Sequence, residues 1–241
     1  MPVGAVNPAA DTPGWYGKLP SLGDFASRRL PPGFLDAWDA WLAAGLDGLK
    51  RARPESWLAE YLDAPAWRFL LMPGCVDGGA WAGVLLPSVD RVGRYFPLTL
   101  AAPLTVPPLT AEALDALLAW LHRAEDTAQD ALQEDWGPDA LEAGLAMLGP
   151  PPAGEAARAA ARPGLAAARA APVGRGELVA LVGASIVVAG LDGFARHSFW
   201  HAAPDSAFAP TLMLAPGLPA ETEFSRLFTP LPALSGAESR S

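Results

Sequence analysis

The sequence is poor in two residue types that catalysis and metal binding often use. It contains one cysteine, Cys75, and three histidines among 241 residues. A single cysteine excludes a disulfide within the chain and argues against a metal site built from cysteines. We therefore expect Cys75 to be a small residue of the core.

Basic residues and long hydrophobic runs are also scarce. Lys and Arg together number 17 against 26 Asp and Glu, which gives a net charge of -9. Non-specific binding to nucleic acid depends on cations that neutralise phosphates, so this charge argues against a nucleic-acid partner. No run of about 18 apolar residues is present, and the amino terminus lacks the basic start and apolar centre of a secretory signal. We expect a soluble, cytoplasmic protein with no membrane insertion.

The Gly17-Lys18 pair does not belong to a phosphate-binding loop. That motif requires a glycine five positions before its Gly-Lys and a Ser or Thr after the lysine. Thr12 and Leu19 occupy these two positions. We therefore expect no nucleotide cofactor at this loop.

Candidates for hydrolytic or metal chemistry are equally weak. His197 and His201 lie four residues apart in a predicted strand, without the HExxH helix of zinc enzymes. Ser185 is not in the Gly-x-Ser-x-Gly context of a hydrolase nucleophile. One alternative stays open, a hydrolytic site that folding would assemble from Asp90, His197 and Ser198. The preferred expectation is that the chain is not an enzyme and has no metal and no cofactor.

The hydrophobic fraction of 51% is sufficient for a core, and its pattern predicts several helices. The first follows the Pro31-Pro32 pair, where apolar residues recur at helical spacing on one face. Thr110 is a candidate cap for a long helix with a leucine-rich face. Shorter helices are predicted for residues 54–62, 138–148 and 220–228. The apolar face of the first helix comprises Leu35, Trp38, Leu42, Leu46 and Leu49, and that of the long helix Leu114, Leu117, Leu118, Leu121 and Leu132.

Between these helices the pattern changes to that of strands. Two strand-like runs bracket the dipeptide Asp77-Gly78, and two more bracket Asp192-Gly193, which predicts two β-hairpins with two-residue turns. Further strands are predicted for residues 96–102 and 209–217. Hairpins interrupted by helices indicate an α+β fold, a mostly antiparallel sheet covered by helices in a single domain.

Composition also suggests the domain limits. We expect one domain over residues 14–230, with flexible ends at 1–13 and 231–241. Residues 149–176 are rich in Ala, Pro, Gly and Arg and lack large side chains, so we interpret them as a linker or a loosely held helical excursion within that domain.

Charged and aromatic residues are concentrated in two predicted loops. Arginine beside aromatic rings favours a protein interface, because the guanidinium forms forked hydrogen bonds and stacks on rings. An ion network is the other interpretation, in which Asp24 or Asp90 pairs with Arg28, Arg91 or Arg94 to hold the loops against the sheet. The candidate residues are Lys18, Asp24, Arg28 and Arg29 in the first loop and Asp90, Arg91, Arg94 and Tyr95 in the second.

Several ordered segments together resemble one known family. They include GWYGKLPSLGDFASRRLP (14–31), APAWRFLL (64–71) and GAWAGVLLPSVDRVGRYFPLTLAAPL (79–104). With the tryptophan pair of FLDAWDAWL and the late HSFWH and GLPAETEFSRLF, they resemble the TagF (ImpM) proteins associated with bacterial type VI secretion. The similarity is dense over 14–104 and thinner through 228.

The resemblance implies a function as well as a fold. Proteins of this kind restrain the assembly or firing of the type VI secretion apparatus after translation, in some systems through contact with a forkhead-associated scaffold protein. It implies a non-enzymatic regulator that acts through protein contacts. A structural subunit of the apparatus and a cryptic hydrolase are the alternatives.

Overall fold

A computed structural model describes residues 12–105, 111–152, 169–172, 195–202 and 211–229. Within these residues eight strands form one sheet with the order β2-β1-β5-β4-β3-β7-β8-β6. Every neighbouring pair is antiparallel. The strands are β1 (Gly14–Gly17), β2 (Ala26–Arg28), β3 (Trp67–Leu71), β4 (Ala80–Leu86), β5 (Leu98–Leu104), β6 (Arg169–Pro172), β7 (His197–Ala202) and β8 (Thr211–Pro216). The predicted α+β class with an antiparallel sheet is confirmed.

Helices cover both faces of this sheet, which explains why β4 is buried along its whole length. On one face α1 (Pro32–Ala52), α2 (Trp57–Leu62) and α5 (Glu221–Phe224), which continues as a 3-10 turn (Ser225–Leu227), pack in an aromatic cluster. On the other face α3 (Ala111–Gln133) and α4 (Pro138–Leu148) pack over aliphatic side chains. Alternate residues of each central strand enter the two cores.

Helix α1 begins at Pro32, where proline's fixed φ suits the first turn and its missing N–H costs no hydrogen bond. Its buried face follows the predicted spacing with one change, since Phe34 is buried and Leu35 is only half-buried. Lys50 and Arg51 occupy its last turn, where positive charge interacts favourably with the helix dipole.

The other helices agree with the predicted positions to within a few residues. Helix α4 has the predicted limits, and α2 begins three residues later than expected. The predicted cap of α3, Thr110, lies outside the described residues.

The hairpin of β3 and β4 is present, but its predicted two-residue turn is wrong. Residues 72–79 form the connection, and the Asp77 side chain accepts hydrogen bonds inside it. Its Oδ1 accepts hydrogen bonds from the Gly79 N–H at 2.7 Å and from Trp81 Nε1 at 2.9 Å. The left-handed position is Gly74 with φ of 91°, rather than Gly78. Hydrogen bonds accepted by the Asp77 side chain therefore stabilise a longer loop than the Asp-Gly pattern predicted.

In the second half of the chain, the structure corrects part of the predicted linker and describes only part of the second predicted hairpin. Strand β6 (Arg169–Pro172) lies inside the predicted 149–176 linker and pairs with β8, so this part of it is an edge strand. Residues 153–168 and 173–176 lie outside the described residues. The same is true of the first arm and the Asp192-Gly193 turn of the second predicted hairpin. Its second arm is β7, whose neighbours in the sheet are β3 and β8.

Candidate functional site

Asp90 lies at the centre of the loop that joins β4 to β5. Its side chain is buried, and both carboxylate oxygens accept hydrogen bonds. Oδ1 accepts from the backbone N–H groups of Val92 and Arg94 at 3.0 and 2.9 Å. Oδ2 accepts from Lys18 Nζ at 2.6 Å and from Arg94 Nε at 2.7 Å. One carboxylate thus closes its own loop and joins it to the loop that follows β1.

The environment of Asp90 favours its ionised form. Burial alone would raise the pKa of this carboxyl group. Hydrogen bonds from Lys18, from the N–H and guanidinium of Arg94 and from the Val92 N–H outweigh that effect and hold the pKa well below its usual range. Asp90 is therefore a charged structural residue at neutral pH.

Further hydrogen bonds fix the two loops to each other and to helix α2. The Arg91 N–H donates to the Leu22 carbonyl at 2.9 Å, and Ser88 Oγ donates to the Lys18 carbonyl at 2.7 Å. The Tyr61 hydroxyl donates to the Ser88 carbonyl at 2.8 Å and accepts from its N–H at 2.9 Å. Hydrogen bonds to backbone groups of both loops therefore hold the two loops together within the fold.

The outer side of these loops carries five exposed side chains, which we call the loop-pair face: Asp24, Phe25, Arg91, Val92 and Arg94. Phe25 and Val92 are 44% and 64% exposed, unusual values for large hydrophobic side chains. Phe25 lies over Lys18 Nζ, 4.7 Å from its ring centroid, which holds the ring in place. The Arg94 guanidinium lies 3.8 Å from the Asp24 carboxylate, an exposed contact of little energetic weight.

Arg28 and Arg29 do not join this group. Arg29 has a left-handed φ of 59° at the end of β2 and forms a forked ion pair with Glu142 on α4. Trp15 Nε1 donates to the same carboxylate at 2.6 Å. Burial opposes ionisation of Glu142, but Arg29, Trp15 and the nearby charge of Arg28 lower its pKa. These two arginines therefore lie beside α4, apart from Asp90.

Tyr95 belongs to the packing of α2. Its half-buried ring meets Trp57 and Tyr61 edge-on, with centroids 6.1 and 6.0 Å apart. Of the predicted site residues, the structure thus brings together Lys18, Asp24, Asp90, Arg91 and Arg94. It separates Arg28, Arg29 and Tyr95 from them.

The ion network expected from the sequence is present in part, since Arg94 contacts both Asp90 and Asp24. The sequence did not identify Lys18 as a partner of Asp90, or Glu142 as the partner of Arg29. Lys18 is 72 residues from Asp90, and Arg29 is 113 residues from Glu142. No local spacing rule relates residues that far apart, and Glu142 reads in the sequence as an ordinary acid on an amphipathic helix.

The positions and hydrogen bonds of Asp90, His197 and Ser198 do not fit the hydrolytic site considered above. Ser198 Oγ donates to the Gly217 carbonyl at 2.6 Å and accepts from Trp200 Nε1 at 2.9 Å. His197 precedes Ser198 in β7, so the two side chains point to opposite faces of the sheet. Both oxygens of Asp90 are engaged in its own loop and by Lys18. The hypothesis of an Asp90, His197 and Ser198 site is therefore wrong.

Cys75 is half-buried and packs against the aromatic cluster. Burial raises the pKa of its thiol to about 12, so it is protonated at neutral pH and a poor nucleophile. In the described ranges no group of three or more His, Cys, Asp or Glu side chains is arranged to hold a metal ion. No described helix is both long and apolar enough to cross a membrane.

Comparison with known proteins agrees with the fold and with the resemblance in sequence. No curated protein matches the chain. The crystal structure of PA0076 from Pseudomonas aeruginosa PAO1 is similar, with a TM-score of 0.70 and 31% sequence identity over 90% of this chain and 94% of that one. The model of the TagF N-terminal domain, described as type VI secretion system-associated, matches residues 14–148, which include both loops of the loop-pair face. The chain belongs to the TagF family of type VI secretion system-associated proteins.

Proposed function

We propose that this protein is a non-enzymatic, cytoplasmic accessory protein that represses assembly or activity of the type VI secretion system after translation. It would do so by direct contact with a component of the apparatus. The family's association with type VI secretion supports the setting. The observation that carries the contact mechanism is the loop-pair face, where arginine and apolar side chains are exposed on an ordered base.

The ordered base matters for binding energy. A loop that must become ordered on binding loses conformational entropy, and this loss reduces affinity. Asp90, Lys18, Ser88 and Tyr61 already hold the loops in the free protein. A partner would therefore meet a preformed surface, and the binding energy of its contacts would not be spent on ordering the loops.

Repression would follow from a difference in affinity. A protein that binds one state of a component more tightly than another shifts the population toward the bound state. Binding to an unassembled component through the loop-pair face would thus disfavour assembly without any covalent change. Because the family resemblance implies a forkhead-associated scaffold protein as the contact in some systems, that scaffold is the first partner to test.

The proposal can be tested by measuring secretion in the parent bacterium. We expect overproduction of the wild-type chain to lower secretion through the type VI apparatus, and the double variant Arg91→Glu and Val92→Ser to lose this effect. Arg123→Glu, on the exposed surface of α3, is the matched charge-reversal control and should still repress. Equal urea unfolding of the three proteins would establish that folding is unchanged.

Two results would contradict the proposal. If wild-type overproduction left secretion unchanged or raised it, repression would be wrong. If the double variant repressed as well as wild type, the loop-pair face would not be the contact. Stoichiometric retention of the chain in purified assembled apparatus would instead identify a structural subunit.

A further inference from the structure

Several arginines in the described residues have a carboxylate partner within the fold. Arg29 pairs with Glu142, Arg53 with Glu60 and Arg68 with Glu125. Such pairs explain why these cations are present without any reference to another protein. Five others, Arg28, Arg91, Arg123, Arg196 and Arg226, have no carboxylate within 4.0 Å among the described residues, and of these Arg91 belongs to the loop-pair face.

The exposed side chain of Arg91 has no carboxylate within 4.0 Å in the part of the chain that the structure describes. Its backbone N–H donates to Leu22, and its guanidinium lies beside Gly23. The backbone of Arg91 is therefore held by a hydrogen bond, while its side chain is exposed. A guanidinium of this kind is suited to a forked pair of hydrogen bonds with a carboxylate.

Apolar surface lies next to this guanidinium. The large hydrophobic side chains exposed among the described residues are Phe25, Leu62, Val92 and Met147. Two of these four, Phe25 and Val92, belong to the loop-pair face. An arginine beside exposed aromatic and aliphatic side chains is the composition that interface hot spots favour.

The sign of the charge on the loop-pair face is opposite to that of the whole protein. Arg91 and Arg94 outweigh Asp24, and the buried Lys18 and Asp90 neutralise each other. The chain as a whole carries a net charge of -9. A basic partner would be attracted to most of the molecule and repelled locally by this face, whereas an acidic partner would be directed toward it.

We infer that the loop-pair face binds an acidic segment of a protein partner, in which a carboxylate engages Arg91 and an adjacent apolar side chain packs on Phe25 and Val92. The inference rests on the proposed function and specifies the chemistry of its contact. Arg94 adds a second positive charge, but its Nε remains bound to Asp90. The guanidinium of Arg91 is consequently the part of the face that selects for an acidic partner.

The test uses the individually purified components of the secretion apparatus of the same bacterium, each measured against the full chain by interferometry. We expect one component to bind, more weakly as salt concentration rises. Arg91→Glu should weaken that binding about tenfold or more, and Arg91→Lys less, because lysine keeps the charge but loses the fork. Arg123→Glu changes the net charge equally and should alter binding by less than about twofold.

A charge exchange then tests the acidic partner directly. Replacing an acidic residue of the bound component by lysine should weaken its binding to wild type and restore binding to Arg91→Glu. Equal binding by Arg91→Glu and Arg123→Glu, or tighter binding by Arg91→Glu, would overturn the inference. Sedimentation showing that wild type self-associates through Arg91 would assign the face to a second copy and would also overturn it.

Failure of this inference can be distinguished from failure of the proposed function. If wild type represses secretion and binds a component while Arg91→Glu does both equally well, the acidic partner is wrong and the regulatory function stands. If wild type neither represses secretion nor binds any component, the proposed function is wrong and the inference is wrong with it.

Discussion

Gly83→Ala tests whether the close packing of β4 supports the strands that carry the loop-pair face. Gly83 lies opposite Phe69 of β3 and Ala101 of β5 in the middle of the sheet. A Cβ added at this position would overlap with the Leu100 carbonyl oxygen and would lie 2.5 Å from Phe69 Cζ and 3.0 Å from Ala101 Cα. Two of these three atoms are backbone atoms of a neighbouring strand, so the clash cannot be relieved by turning one side chain.

The expected cost lies at the upper end of the range for overpacked cores. Extra methyl groups in a well-packed interior typically cost about 1–3 kcal/mol. Since β5 must move to accommodate the added methyl group, we expect a loss of about 3 kcal/mol. For a urea dependence of about 3 kcal/mol per M, this loss lowers the unfolding midpoint by about 1 M.

The assay is urea unfolding followed by tryptophan fluorescence. Gly33→Ala is the matched control, because it adds the same methyl group in the first turn of α1, where nothing lies within 4 Å of the new carbon. Gly33→Ala should stabilise the protein by about 0.5 kcal/mol through the reduced entropy of the unfolded chain. A midpoint for Gly83→Ala within about 0.2 M of wild type would refute the packing argument.

Three further predictions concern the interior. Lys18→Met should lower the urea midpoint more than Arg91→Ala does, because it removes the buried cation from Asp90 while Arg91 is exposed; equal midpoints would contradict this. The pKa of Asp90 lies below the ordinary value of 3.8, so its ionised form stabilises the fold above that pH and this contribution is lost as the pH falls further. Unfolding free energy measured from about pH 5 to pH 3 should therefore decline less steeply in Asp90→Asn than in wild type, and parallel curves would refute the assignment. Gly45→Ala should destabilise α1 despite alanine's higher helix propensity, because the added carbon would overlap with the buried ring of Phe224; a raised thermal midpoint would contradict it.

Local patterns in the sequence predicted the helices and the first hairpin well. The face of α1 follows from a 3.6-residue period, and its start follows from the fixed φ of proline at Pro32. The β3–β4 hairpin follows from two apolar runs on either side of turn residues. The error there was in the turn, because hydrogen bonds from Gly79 and Trp81 to Asp77 involve geometry that the Asp-Gly dipeptide does not encode.

The amino-acid composition of residues 169–172 did not predict strand β6. Residues Arg169–Pro172 read RAAP, with no large apolar side chain and no strand-like alternation of apolar residues. They form a strand because β8 offers its backbone N–H and C=O groups along one edge. Pairing of this kind depends on a strand that is distant in the chain. The local sequence around residues 169–172 therefore predicts a linker.

The sequence by itself determined the family, the α+β class and the two loops in which charged residues gather, because these depend on residue order and short periodicities. Only the tertiary structure decided that Asp90 pairs with Lys18, that Arg29 pairs with Glu142, and that Arg91 is exposed without a carboxylate partner among the described residues. The physical reason is that an ion pair requires its two groups within a few ångströms. The packing of strands and helices that lie far apart in the chain sets that distance.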